Sequence, residues 1–187
     1  MNIYDCFMYF DEDLLLDLRL NILDRYVEKF IITESTFLHN GKQKGLNFDI
    51  NKFSKYKDKI EYIVVDDLPK DIEQINPNDN KHAKNSKILI NALKRENHQR
   101  NMLIKGLNKT EDDDLVIISD VDEIPNLKDF KHKKKFSFFK QKMFYYKFNL
   151  VRPKINWTGS RACKKKNLLS PQWLRNIKEK SYPFWRL

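Results

Sequence analysis

Three carboxylates follow one another at the end of an apolar run, in the stretch EDDDLVIISDVDEIP from Glu111. Leu115 to Ile118 is unbroken β-branched and aliphatic sequence, which reads as a buried strand. It stops at Ser119; Asp120, Asp122 and Glu123 come next, and Pro125 ends any extended run. Parallel α/β sheets bind ligands beyond the carboxyl ends of their strands. An extended backbone would point Asp120 and Asp122 the same way, since side chains alternate with period two. Two hard oxygen donors so close repel each other unless a cation lies between them. Mn²⁺ or Mg²⁺ matches that donor type and leaves room for phosphate oxygens. An Asp at a strand end can equally cap a turn, so the rest of the chain has to decide.

Strands and helices alternate upstream of this stretch. Ile3 to Phe10 reads as a first strand, with Asp11 to Asp13 as acids at the start of a helix. Leu14, Leu15, Leu18, Ile22 and Leu23 supply an apolar helical face. Lys29 to Thr33 reads as a second strand that ends in Glu34 and Ser35. His39 to Leu46 is a glycine-containing loop, Phe53 to Lys59 a short amphipathic helix, and Glu61 to Val65 a third strand. Asp71 to Lys84 has the composition of a loop. Asn85 to Leu107 reads as the longest helix, with a stripe of Leu89, Leu93, Glu96, Arg100, Leu103 and Leu107. Glu96 and Arg100 interrupt that stripe, either as part of a site or as stems lying along apolar surface at its edge. Short apolar strands alternating with helices predict a mostly parallel sheet.

Past Pro125 the character changes. Lys128 to Lys135 is a basic, solvated turn, and Phe136 to Val151 reads as two adjacent strands. Asn156 to Gly159 is a turn whose Trp157 is expected in the core, stacking on a sugar ring being the other use of such a side chain. Ser170 and Pro171 form a helix start. The end of the chain, YPFWRL from Tyr182, is unusually aromatic for a terminus, which predicts a truncated or split chain.

Hydrophobic residues make up 41 % of the 187 and aromatics 13 %, enough for one folded domain. A formal charge of +10 admits nucleic acid or an anionic surface as partner. Lys is spread throughout, however, and no recognition motif for nucleic acid accompanies it. Cys6 and Cys163 lack metal-type spacing and fit two reduced thiols. The N-terminus has no signal-peptide pattern, and no apolar run approaches the ~20 residues that cross a bilayer. A cytoplasmic location is the expectation.

The ordered blocks YDCFMYFDEDLLLDLRLNIL, FIITES, the Gly-Lys loop at His39 to Lys44, YIVVDDLP, RENHQRN and IISDVDEIP resemble glycosyltransferase family 17. That family includes β-1,4-mannosyl-glycoprotein 4-β-N-acetylglucosaminyltransferases, enzymes of protein N-linked glycosylation. The resemblance runs from about Ile3 to Pro125, and more loosely from Trp157 to Leu174. It implies a GT-A-like α/β fold in one domain, with residues 1–125 as the nucleotide-sugar and metal half and 126–187 as a partial acceptor half. It implies an inverting transfer of N-acetylglucosamine from UDP-GlcNAc to a glycan acceptor. By the same resemblance Asp120 and Asp122 match a DXD motif that holds Mn²⁺ or Mg²⁺ on the donor diphosphate. Asp122 is then the first metal ligand, and Asp120 binds through water or holds the ribose. Arg100 and Asn101 match an Arg-Asn pair near the donor, and Glu34 lies where the nucleotide would sit. Glu123 is the nearest candidate base, with a helix-start acid as its other role. His39 and Lys42 are expected in a solvated loop, approach to the diphosphate or the acceptor being their other use. A Gly-Trp-His-Phe-type segment found in the C-terminal part of the family is missing, so an inactive donor-binding remnant is one alternative. A basic nucleic-acid-binding protein and a nucleotidyltransferase are others.

Overall fold

Period-two alternation along the strands divides the buried side chains between two faces of one sheet. In the computed structural model, which describes residues 1–146 and 149–178, the elements follow the order β1 (Ile3–Met8), α1 (Asp13–Leu23), β2 (Lys29–Ser35), β3 (Ile60–Val65), α2 (Lys81–Asn101), β4 (Leu115–Asp120), β5 (Phe136–Phe138), β6 (Gln141–Phe144), β7 (Val151–Trp157), β8 (Arg161–Lys164) and α3 (Pro171–Asn176). The main sheet has six strands in the order β3-β2-β1-β4-β8-β5. β1 pairs in parallel with β2 and β4, and β2 with β3, while β8 runs antiparallel to both β4 and β5. The protein is therefore α/β with a mostly parallel central sheet flanked by helices. Strands from beyond residue 125 complete the same sheet that the earlier strands begin. β6 and β7 form a separate two-stranded hairpin.

Phe7, Phe30, Ile32, Leu115 and Ile117 face α1 and pack with Leu16, Leu20 and Leu23. Cys6, Ile31, Val116, Ile118 and Cys163 face the other way, against Leu103, Leu107 and Leu174. Full burial of each such side chain contributes about 1.5–3 kcal/mol. Both thiols are free and buried. Burial pushes the Cys163 thiol up to about 12 and raises that of Cys6 well above its ordinary value.

The face of α1 differs from the expected one. Leu14, Leu18 and Ile22 are exposed, and the buried residues are Leu16, Arg19, Leu20 and Leu23. A rotation of the helix puts Arg19 against the sheet, where Asp5 of β1 accepts from it at 2.6 and 2.7 Å. α2 begins at Lys81, earlier than its sequence predicts, because the side chain of Asn80 accepts from the Ala83 N–H and caps it. Its last expected turns, Met102–Leu107, form a 3₁₀ helix. Leu89 and Leu93 are exposed rather than buried. That half of α2 is fastened to the preceding loop by polar groups instead. Asn91 exchanges two 2.8 Å bonds with the backbone of Glu73, and Lys87 pairs with Asp79. The Phe53 region is a 3₁₀ helix, Ile50–Lys59, burying Phe53 and Tyr56. The Ser170–Pro171 helix start holds, with Ser170 accepting from the Trp173 N–H. The aromatic end at Tyr182 lies outside the described residues, as do positions 147 and 148 of the expected strand pair. Among the described residues no helix is long and apolar enough to cross a membrane.

Candidate active site

Because β1, β2 and β4 run in parallel, their carboxyl ends open on one edge, and a cleft of about 850 Å³ lies there. That volume falls in the range of small-molecule sites. Its walls include Tyr9 and Phe10 after β1, Ser35 at the end of β2, Glu96, Gln99 and Arg100 of α2, and Asp120 to Asp122 after β4. The loop after β2 contributes Leu38, His39, Asn40 and Lys44. His39 lines the cleft, and Lys44 rather than Lys42 is the lysine there. Lys44 is already paired with Glu34. Arg95 donates to the His39 carbonyl at 2.8 Å and holds the loop down on α2.

The turn after β4 is shaped from beneath by Arg19. One nitrogen of its guanidinium donates to the carbonyls of Asp120, Val121 and Glu123 at 3.0, 3.1 and 3.2 Å. Another reaches the Ser119 hydroxyl, and the Asp5 carboxylate takes the remaining side. The guanidinium also lies 4.5 Å from the centre of the Phe7 ring. A fully buried arginine with every donor engaged fixes three carbonyls of the turn, those of Asp120, Val121 and Glu123, and so fixes where Asp120 and Asp122 point.

Asp120 is clamped between two arginines. Arg100 donates to one of its oxygens at 3.1 Å and Arg175 of α3 to the other at 2.6 Å. Arg100 is itself 3 % exposed and further held by Glu96 at 2.8 Å and by Gln172. The charged pair that breaks the α2 stripe therefore faces the cleft. Asn101 turns away from it, accepting from the Gln172 N–H at 3.0 Å and tying α2 to the start of α3.

Asp122 differs from both neighbours. Among the described residues its carboxylate has no side-chain partner and meets only its own backbone N–H. Partial desolvation in the cleft, then the charges of Glu123 and Asp120, raise its pKa from its ordinary value. The folded chain therefore holds the Asp122 proton more tightly than the unfolded chain does. Its ionisation costs stability above that raised pKa, and the cost is relieved as pH falls through it. A cation would relieve it at neutral pH. Asp122 is the carboxylate here that could hold a divalent cation, as a single ligand; among the described residues no group of three or more His, Cys, Asp or Glu gathers to hold one.

Glu123 is buried, and its oxygens accept from four donors. These are the Asp120 N–H at 3.0 Å, both terminal nitrogens of Arg175 at 2.7 and 2.8 Å, and Trp157 Nε1. A carboxylate so engaged has no lone pair left to take a proton from a substrate. Glu123 positions Arg175 and the turn, and the expectation of a base at this residue gives way to that role. Trp157 is likewise not core. It is 44 % exposed, with its ring edge anchored on Glu123. Glu34 sits at the carboxyl edge as expected but is fully buried, accepting from Asn47 N–H, Phe48 N–H and Tyr62 at 2.8, 3.0 and 2.8 Å. It anchors the loop rather than facing the cleft.

Gly159 passes directly over Glu123, and a Cβ there would overlap its carboxyl. Gly159→Ala is expected to cost about 1–3 kcal/mol of stability by crowding a buried, fully bonded group. A urea midpoint unchanged from wild type would contradict the packing described.

Asp5, Arg19, Arg175 and Gly159 are the site residues that sequence reasoning missed. The available signal was an Arg inside a leucine-rich helix facing a strand with one buried Asp. For Arg175, on a helix far along the chain, no local signal exists.

A model of the family described as glycosyltransferase family 17 matches residues 1–167. No curated protein and no solved structure matches the chain.

Proposed function

Since the chain belongs to glycosyltransferase family 17, we propose that it is a GT-A-like, metal-assisted enzyme that moves N-acetylglucosamine from UDP-GlcNAc to a glycan acceptor with inversion. Transfer of a sugar between a donor and an acceptor follows from the family; the donor, the metal and the stereochemistry are the finer reading. The observation that carries it is Asp122, an unpaired acid in a cleft at the carboxyl edge of a mostly parallel sheet.

On this reading Asp122 holds Mn²⁺ or Mg²⁺, which supplies Lewis-acid charge to the departing diphosphate. Asp120 stays with Arg100 and Arg175 and lends its position rather than a second bare carboxylate. Arg100 has five N–H groups, of which its partners use three, so it retains donors for a phosphate oxygen. Gln99 lines the cleft but is fixed to the Thr33 carbonyl at 3.0 Å, and so holds α2 against β2. The acceptor hydroxyl attacks the anomeric carbon from the face opposite the diphosphate, as inversion requires; the bond to UDP breaks as the new bond forms, and the hydroxyl proton passes to water at the open edge of the cleft. Trp157, anchored at one edge and half-exposed, offers the apolar face of a sugar a surface beside the turn.

Release of UDP from a panel of nucleotide sugars, with Mn²⁺ present, tests the reading. UDP-GlcNAc is expected to be the preferred donor, with nucleoside triphosphates inert. Preference for a triphosphate would replace the proposal with a nucleotidyltransferase. Tight donor binding with no UDP release would leave a donor-binding remnant.

A further inference from the structure

Arg161 takes no part in the reaction proposed above, yet it stands next to the residues that do. It is the first residue of β8, and because β8 runs against β4 that end lies at the carboxyl edge, in register with Ile118. Among the described residues its Nε and Nη1 are buried and reach no acceptor. The carboxylates within range are already engaged. Asp120 is held by Arg100 and Arg175, and Glu123 by Arg175, Trp157 and a backbone N–H. A buried donor without an acceptor is costly, and a buried cation more so. Oxyanions are the groups that a guanidinium pairs with best.

We propose that Arg161 is the open position of an oxyanion seat, flanked by Arg100 and Arg175, which takes a phosphate or carboxylate group of a bound ligand. Arg161 is not among the residues that line the cleft, and its charge interacts with those of Arg175, Glu123, Arg100 and Asp120. The seat rests on the unpaired guanidinium and does not require the UDP-GlcNAc reading. Burial and the neighbouring Arg175 charge bring the Arg161 guanidinium down to about 10, the direction an uncompensated cation takes. An anion there reverses that pressure. Two sources of the group are open: the diphosphate of a nucleotide, or an acidic sugar on the acceptor side.

The experiment is a thermal-shift titration of the full chain with inorganic phosphate against chloride at matched ionic strength, in wild type and Arg161→Gln. Phosphate is expected to stabilise the wild type, and Arg161→Gln to weaken the apparent affinity by about tenfold or more. Without ligand, Arg161→Gln is expected to melt no lower than wild type, because an unpaired charge has been removed. Arg161→Lys keeps the charge and retains part of the response, which gives a second reading if the Gln variant does not fold. Titrations with UDP and with glucuronate then locate the source. A loss of UDP affinity in parallel with phosphate puts the seat on the nucleotide; a loss for glucuronate with UDP unchanged puts it on the acceptor. A guanidinium satisfied by water alone gives no phosphate response in wild type, or an equal one in both proteins, and either result overturns the proposal.

Discussion

Arg19→Ala is expected to destabilise the protein by about 3–5 kcal/mol, the range for breaking a buried ion pair by removing one partner. The loss is large because Asp5 is left fully buried with no counter-charge and three carbonyls of the β4 turn lose their common donor. Denaturant unfolding measures it. The double variant Asp5→Leu with Arg19→Met separates the two consequences. It replaces the pair with apolar side chains of similar bulk and is expected to recover most of the stability. It does not restore the bonds to Asp120, Val121 and Glu123, so donor binding stays weak. A single variant within about 1 kcal/mol of wild type would show that the pair does not organise the fold.

Arg175→Ala ranks second. Arg175 links two of the three acids of the turn, Asp120 and Glu123, and it also donates to the Gly159 carbonyl. Desolvation opposes its charge, but the bonds and charges of Glu123 and Asp120 outweigh this and raise its pKa. Removing it strands the buried Glu123 and frees one oxygen of Asp120, at a cost of about 3–5 kcal/mol. Arg175→Lys is expected to rescue little, since one ammonium cannot reach Asp120, Glu123 and Gly159 with the geometry of a planar fork. Full rescue by Lys would mean that charge alone matters here and that the fork does not.

The acids after β4 were legible because two signals coincide in one short stretch: an apolar run that ends abruptly, and polar groups that begin at once. A mostly parallel sheet needed only the alternation of strands and helices; the antiparallel places of β8 and β5 beside β4 had no such signal. Burial of Glu123 was not legible, since its four donors come from β4, β7 and α3, and local sequence says nothing of their meeting. α1 shows a different limit. DLLLDLRLNIL has leucines on more than one side, so periodicity allows two faces. The buried face is the one that brings Arg19 to Asp5, a tertiary choice that overrides the count of apolar residues. Leu89 and Leu93 were misjudged for the opposite reason. Their spacing is helical and apolar, but that part of α2 is held by Asn91, Lys87 and Lys94 to the loop before it, so the leucines stay outside. Glu34 stands at the expected edge and points into its own loop, because the side chain's direction depends on where residues 44–48 return.

Asp122 carries the central claim, that this cleft binds a nucleotide-sugar diphosphate through a divalent cation. The most direct measurement is calorimetric titration of UDP-GlcNAc into wild type and Asp122→Ala, each with Mn²⁺ and with EDTA. The expected result is binding in wild type that requires Mn²⁺, weakened by about 100-fold or more in Asp122→Ala, a change of about 2.7 kcal/mol. Binding that is equal with Mn²⁺ and EDTA, and equal in the two proteins, would contradict it.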